Sequence, residues 1–128
     1  MRQNKRILLI DDEEVITFGF TKVLQRKPYI EVDSAQTVEE AIKLINAHQY
    51  VSAIVDLRLS NSIEIEGFKC MRLLHSTQSN CRIIVLTACG DDHLRKRANM
   101  LGADLYFLKP TEPEKIMEVL TKYGIYNL

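Results

Sequence analysis

Five polar side chains stand just after four short apolar runs of this sequence: Asp11 and Asp12 after 7–10, Asp56 after 51–55, Thr87 after 83–86, and Lys109 after 105–108. If these runs are parallel strands, their carboxyl ends lie at one edge of one sheet and bring the five groups together. Carboxylates suit a hard divalent cation, whereas a hydroxyl and an ammonium suit the oxygens of a phosphoryl group. The spacing therefore predicts a site for a divalent cation and a phosphoryl group.

Within that site, Asp56 is the candidate nucleophile, because a carboxylate can attack phosphorus to form an aspartyl phosphate. Mg²⁺, or Mn²⁺ as an alternative, would take carboxylate oxygens, a backbone carbonyl near Arg58 and a phosphate oxygen. Lys109 is expected to neutralise one phosphoryl oxygen, and Thr87 to donate a hydrogen bond to another. The cluster contains no histidine or thiolate, which argues against zinc.

The candidate site requires a particular arrangement of strands. Apolar runs at about 5–10, 30–34, 51–55, 82–86 and 104–108 alternate with stretches of helical periodicity. This alternation predicts an α/β fold of five βα units, doubly wound around a five-stranded parallel sheet in the order 2-1-3-4-5. Such a flavodoxin-like three-layer sandwich places strands 1 and 3 at the topological switch point, where Asp12 and Asp56 would face each other.

Local signals refine this outline. Residues 30–34 are polar enough to form an edge strand. Thr37 and Glu40 have the spacing of a capping box and are expected to open the second helix. Gly19 interrupts the first helical stripe at a cost of roughly 1 kcal/mol relative to alanine, which close packing at that position would explain.

Composition limits the possible functions. The chain has 128 residues, 46% of them hydrophobic, and is expected to form a single domain over 1–128, with a core at about 5–123 and no output domain. Its zero net charge argues against a broad surface for nucleic acid or anionic lipid. Apolar runs of membrane-spanning length are missing, and three cysteines without metal spacing favour a reducing, cytoplasmic location.

The motifs in their order are similar to those of a known family: Asp11-Asp12-Glu13, Val55-Asp56-Leu57-Arg58, Leu86-Thr87-Ala88 and Tyr106-Phe107-Leu108-Lys109-Pro110. This pattern resembles the receiver domain of bacterial response regulators, from about residue 5 to residue 123. Each motif is common by itself, but their order and spacing make the combined signal strong.

The resemblance implies a role for each residue of the site. Asp56 corresponds to the phosphoacceptor, Asp12 to the direct metal ligand, Asp11 to a carboxylate that acts through water, and the carbonyl of Arg58 to the backbone ligand of the metal. Thr87 and Lys109 correspond to the phosphoryl-binding pair, with a cis Lys109–Pro110 bond, and Tyr106 to an aromatic switch residue that swings inward when Thr87 moves.

The resemblance also implies partners. A sensor histidine kinase or a histidine phosphotransfer protein would donate the phosphoryl group. The phosphorylated protein, a monomer or weak dimer that stands alone, would signal through the face formed by helix 4, strand 5 and helix 5. Direct contact with nucleic acid or membrane is not expected.

The loop after Asp56 departs from the family pattern. Ser60 stands where receivers usually have proline, and Glu66–Gly67 reaches the start of the third helix about three residues late. Arg58 and Cys89 occupy positions that tend to tune the lifetime of the phosphoryl group in receivers.

Alternatives from other classes are a phosphohydrolase and a binding module that is never phosphorylated. A phosphohydrolase with an aspartyl nucleophile usually has an acid two residues further on, where this chain has Arg58. Failure to bind Mg²⁺ would favour the binding module. A nucleotide- or flavin-binding fold is disfavoured, because the acidic turn 11–14 lacks a glycine-rich loop and would repel phosphates unless a metal intervened.

Overall fold

A computed structural model describes residues 4–58 and 65–126. Over these ranges strands and helices alternate: β1 (Lys5–Ile10), α1 (Glu14–Leu24), β2 (Ile30–Ala35), α2 (Val38–Ala47), β3 (Ser52–Val55), α3 (Glu66–Thr77), β4 (Arg82–Thr87), α4 (Asp92–Met100), β5 (Ala103–Leu108) and α5 (Pro113–Lys122). The strands form one parallel sheet in the order β2-β1-β3-β4-β5. The predicted fold and strand order are confirmed.

Helices cover both faces of the sheet. Alternate residues of β1 point to opposite sides, so Leu8 packs with α2, α3 and α4, and Ile7 packs with α1 and α5. β2 is an edge strand, as its polarity predicted. The packed core extends beyond the expected residue 123, because Ile125 and Tyr126 are buried and the Tyr126 hydroxyl donates to the carbonyl of Leu24.

The helix ends follow the sequence signals with one difference. The Thr37 hydroxyl accepts a hydrogen bond from the Glu40 N–H at 3.2 Å, as expected for the cap of α2. The Glu40 carboxylate, however, accepts from the N–H of Gln36 at 2.7 Å rather than from that of Thr37, so the capping box is shifted by one residue on this side. Asp91 caps α4, and Gly102 (φ 100°) ends it in the left-handed region, which favours glycine. Within the described ranges, none of the helices is both long and apolar enough to cross a bilayer.

Close packing does not explain Gly19. A Cβ atom built at this position has nothing within 4 Å outside the backbone of its own helix, so the expectation of a close approach there is wrong. Gly19 therefore leaves α1 less stable without a compensating contact.

Candidate functional site

The register of the sheet brings the acidic residues together. Ile10 of β1 pairs with Val55 of β3, and the chain continues from these two residues directly into Asp11 and Asp56. The N–H of Asp56 donates to the Ile10 carbonyl at 2.8 Å, so the backbone pairing extends to the first residue of the site. Both carboxylates therefore lie at the switch point between β1 and β3.

Lys109 bridges these carboxylates from the end of β5. Its Nζ lies 2.8 Å from Asp11 Oδ2, 3.0 Å from Asp56 Oδ2 and 3.2 Å from Glu13 Oε2. The peptide bond to Pro110 is cis, as expected, and the Lys109 N–H donates to the carbonyl of Thr87 at 2.9 Å. An ammonium has three N–H donors, so each of them has a carboxylate oxygen within reach.

Burial and charge act in opposite directions on this cluster. Burial raises the pKa of Asp11 above its ordinary value, although the hydrogen bond from Lys109 opposes the shift. Burial by itself lowers the pKa of Lys109, but hydrogen bonds to Asp11 and Asp56 outweigh it and leave that pKa well above its ordinary value. Lys109 is therefore a fixed positive charge beside Asp56 at neutral pH.

The carboxylates of Asp11, Asp12 and Asp56 are close enough to share one cation, since one oxygen from each lies within 4.8 Å of the others. Both oxygens of Asp11 are already engaged, Oδ1 by the Glu13 N–H at 2.9 Å and Oδ2 by Lys109. Asp12, in contrast, is exposed. An all-oxygen donor set of this kind fits Mg²⁺.

Thr87 and Tyr106 are connected through the backbone of Cys89. Thr87 is buried at the end of β4, and its Oγ1 accepts from the Cys89 N–H at 3.4 Å. The Tyr106 hydroxyl donates to the Cys89 carbonyl at 2.5 Å, and the Arg95 guanidinium lies 4.6 Å from the centroid of the Tyr106 ring. Burial raises the pKa of Tyr106, so its hydroxyl remains a donor at neutral pH.

Arg58 lies against the same site. Its backbone N–H faces Asp56 Oδ1 at 3.4 Å, and its Nε lies 3.4 Å from the sulfur of Cys89. The position two residues after Asp56 thus contributes a guanidinium rather than the acid that a phosphohydrolase would need. The unusual loop of 58–67 falls largely on residues 59–64, which lie outside the described residues.

Two residues of the site were missed by the sequence reasoning. Glu13 supplies the third carboxylate on Lys109, and its position directly after Asp11–Asp12 could have suggested this role. Gly67 lies against the strand that carries Asp56: a Cβ there would be 2.6 Å from the Asp56 carbonyl oxygen and 2.6 Å from Leu57 Cα. Gly67 therefore permits α3 to begin against the backbone of the site.

These two glycines predict opposite effects of the same substitution. Gly67→Ala forces the backbone near Asp56 to move and is expected to lower the free energy of unfolding by about 2 kcal/mol, as overpacking does. Gly19→Ala, the matched control, is expected to raise it by about 1 kcal/mol, the difference in helix propensity. Urea denaturation followed by circular dichroism measures both. A Gly67→Ala variant as stable as the wild type would contradict the close approach.

Comparison with known proteins agrees with this geometry. Residues 7–121 match the family described as the response regulator receiver domain. Sporulation initiation phosphotransferase F of Bacillus subtilis is 25% identical over 94% of each chain. Two other curated relatives are longer, and the chain spans 64% and 45% of their lengths.

Solved structures give the same result. A response regulator from Burkholderia pseudomallei, with a phosphorylated aspartic acid, a calcium ion and citrate, is 31% identical with a TM-score of 0.80, covering 98% of this chain and 76% of the other. Response regulator TrrA from Thermotoga maritima, in complex with Mg²⁺–BeF, is 30% identical with a TM-score of 0.74, covering 92% of this chain and 97% of the other.

The family match spans most of the chain, and the acidic cluster lies where such domains are phosphorylated. These domains are signalling phosphoacceptors rather than enzymes that turn over an external substrate. The chain therefore belongs to the response regulator receiver domain family.

Proposed function

We propose that Asp56 accepts a phosphoryl group from a phosphohistidine on a sensor histidine kinase or a phosphotransfer protein. The observation that carries the proposal is the contact of the Lys109 ammonium with Asp56 Oδ2 at 3.0 Å, beside two further carboxylates that can share a cation. In the transfer, an Asp56 oxygen forms a bond to phosphorus while the bond between phosphorus and the donor imidazole breaks.

The remaining residues of the site position charge around that reaction. Lys109 would stabilise one phosphoryl oxygen, and Thr87, whose hydroxyl can still donate, would bind another. Asp12, Asp56 and the carbonyl of Arg58, with Asp11 through water, would hold Mg²⁺. When bound, Mg²⁺ offsets the repulsion between the carboxylates and the incoming phosphoryl group.

The phosphorylated form would signal through protein contacts on the face made by α4, β5 and α5. The Thr87 hydroxyl accepts a hydrogen bond from the Cys89 N–H, and the Cys89 carbonyl accepts one from the Tyr106 hydroxyl. Movement of Thr87 toward a phosphoryl oxygen would therefore displace Cys89 and, through it, Tyr106. Tyr106 belongs to β5 and packs beside Arg95 of α4. A charge added at Asp56 could therefore change the shape of this face. A cytoplasmic location is part of the same proposal.

Incubation with acetyl phosphate tests the covalent step without requiring the natural donor. Intact-mass measurement is expected to show one added phosphoryl group. The adduct should form with Mg²⁺ but not when EDTA is present during the incubation, and hydroxylamine should remove it. Reduction with borohydride followed by peptide sequencing should place the modification at residue 56. If the chain gains no such mass, the alternative of a binding module that is never phosphorylated is favoured, and failure to bind Mg²⁺ in a titration would support the same alternative.

The donor is expected to dock beside the site on α1. Val15 is 83% exposed and Phe18 is 69% exposed, and α1 starts directly after the acidic residues of the site. Two large apolar side chains in solvent at this position suit contact with another protein. We expect Phe18→Ala to slow phosphorylation by a protein donor about tenfold, the effect of losing an apolar anchor of an interface.

Acetyl phosphate is the control for that variant, because it needs no docking surface. Its reaction with Phe18→Ala should proceed at the wild-type rate. A variant that is equally slow with both donors would place the defect in the site itself and would contradict docking on α1.

A further inference from the structure

An apolar groove lies between α2, α3 and α4, on the described part of the chain. Ile42, Leu73, Met100 and Leu101 line it, and its volume is about 650 Å³. In a doubly wound fold the helices run antiparallel to the strands, so the last turns of α3 and α4 lie at the edge of the sheet opposite to Asp56. The apolar floor of the groove, formed by Leu73, Met100 and Leu101, therefore lies away from the phosphoacceptor site, whereas its basic rim begins at Lys69 in the first turns of α3.

Met100 is the most exposed large apolar side chain of the described residues, at 85%. It stands at the end of α4, above the partly buried Leu73 and Leu101, which pack on the core. A flexible thioether beside an apolar cleft can adapt to the side chains of a partner. This combination is typical of a protein contact rather than of an ordinary solvated helix face.

The rim of the groove is basic. Lys69, Arg72 and His75 follow one another at helical spacing on α3 and line the groove, and the described lining residues include no aspartate or glutamate. The ion pairs found among the described residues do not involve Lys69 or Arg72. These two cations are thus available to carboxylates from outside the chain.

The charge of the two helices is also unbalanced. α3 carries one carboxylate and two cations, and α4 one carboxylate and three cations, an excess of +3 in a chain of zero net charge. Toward the start of α3, Lys69 and Arg72 border a second cavity, which is also lined by Arg97 and by the two carboxylates of Glu39 and Glu66. An acidic ligand would therefore favour the groove, whose described lining contains cations and no carboxylate, over the second cavity.

We propose that this groove binds an acidic amphipathic helix of a partner protein. Apolar side chains of that helix would lie against Leu73, Leu101 and Met100, while its carboxylates would pair with Lys69 and Arg72. Nucleic acid fits less well, because phosphates would leave the apolar floor without a partner. This interaction does not depend on phosphorylation of Asp56.

A peptide-display selection on the intact chain tests the proposal. The probe is a library of random peptides, selected on the wild type and depleted on a variant with Lys69→Glu and Arg72→Glu. A matched variant with Lys27→Glu and Lys115→Glu carries the same charge change on other exposed surfaces. Circular dichroism verifies that both variants are folded.

Surviving peptides are expected to be rich in Asp and Glu, with apolar residues at helical spacing. Synthetic versions should shift the NMR methyl signals of Met100 and Leu73. Their affinity should fall about tenfold or more in Met100→Ser and in the depletion variant, but not in the matched variant. Peptides that are neutral or basic, that bind the depletion variant equally, or that map to another surface would overturn the proposal. So would preferential binding of duplex DNA, or occupation of the groove by a second copy of the chain.

Discussion

Replacing Asp56 with asparagine is expected to abolish the phosphoryl adduct that forms with acetyl phosphate and Mg²⁺. The amide has nearly the same shape as the carboxylate but is a poor nucleophile, and it removes one of the three oxygens that contact Lys109. Intact-mass spectrometry should show no detectable adduct in Asp56→Asn under conditions that fully label the wild type. The expected loss is at least about a thousandfold in rate, since a covalent step is removed.

The matched control for that experiment is Asp92→Asn. Asp92 is an exposed carboxylate in the first turn of α4, away from the acidic cluster. Its substitution should leave the labelling rate unchanged. Labelling of Asp56→Asn at the wild-type rate would show that another residue is the acceptor and would refute the proposed role of Asp56.

Replacing Lys109 with methionine is expected to lower the free energy of unfolding more than either glycine substitution does. Its ammonium side chain is 13% exposed and lies between Asp11 and Asp56, which are themselves buried. Methionine retains the length of the side chain but leaves two buried carboxylates close together without a cation. Breaking a buried pair in this way typically lowers the free energy of unfolding by about 3 kcal/mol.

The loss should depend on pH in a defined direction. The pKa of Lys109 is raised on folding, so its stabilising effect is fully present below its unfolded pKa and is lost only at strongly alkaline pH. The pKa of Asp11 is also raised on folding, so the folded state binds this proton more tightly than the unfolded state does. The folded state therefore loses stability as the pH rises above the ordinary pKa of aspartate. Without Lys109 the pKa of Asp11 rises further, because the hydrogen bond and the charge that oppose the shift are lost. Lys109→Met should therefore lower the free energy of unfolding more at neutral pH than at acidic pH.

Urea denaturation at about pH 7 and at about pH 4.5 measures this difference, because an aspartate whose pKa is raised is more fully protonated at the lower pH. Mg²⁺ should restore part of the stability of Lys109→Met at neutral pH, because it binds the same carboxylates in the folded state. Lys27→Met, at an exposed position, serves as the control. A loss in Lys109→Met that is the same at both pH values and insensitive to Mg²⁺ would indicate lost packing instead of unpaired charge.

Much of the fold could be predicted because its signals are local. The apolar runs that became β1, β3 and β4 are buried on both sides, so they read as continuous hydrophobic segments. Thr37 and Asp91 mark helix starts through hydrogen bonds to nearby N–H groups. Strand order followed from the handedness of βα crossovers, which is a general property of such chains.

The predictions that failed, or were not made, concern contacts between distant segments. Helical periodicity cannot distinguish Gly19, which faces open space, from Gly67, which touches the strand end of Asp56. The burial of Tyr126 against Leu24 likewise depends on packing between residues 102 positions apart, whereas the shifted cap on Gln36 depends on the local turn of the backbone. The type of a side chain does not indicate which distant residues it will contact.

The five residues after the strand ends were thus identifiable from sequence, because parallel strands must end at one edge of the sheet. Sequence also determined the kind of chemistry, since three carboxylates, a hydroxyl and an ammonium suit a cation and a phosphoryl group. Tertiary structure decided which of these residues are buried and which of them pair with Lys109. The backbone at the end of β1 buries Asp11 against Lys109 and leaves Asp12 exposed, and it places Glu13 within 3.2 Å of an ammonium 96 residues away. The physical reason is that such pairing depends on packing across the sheet, which no local pattern encodes.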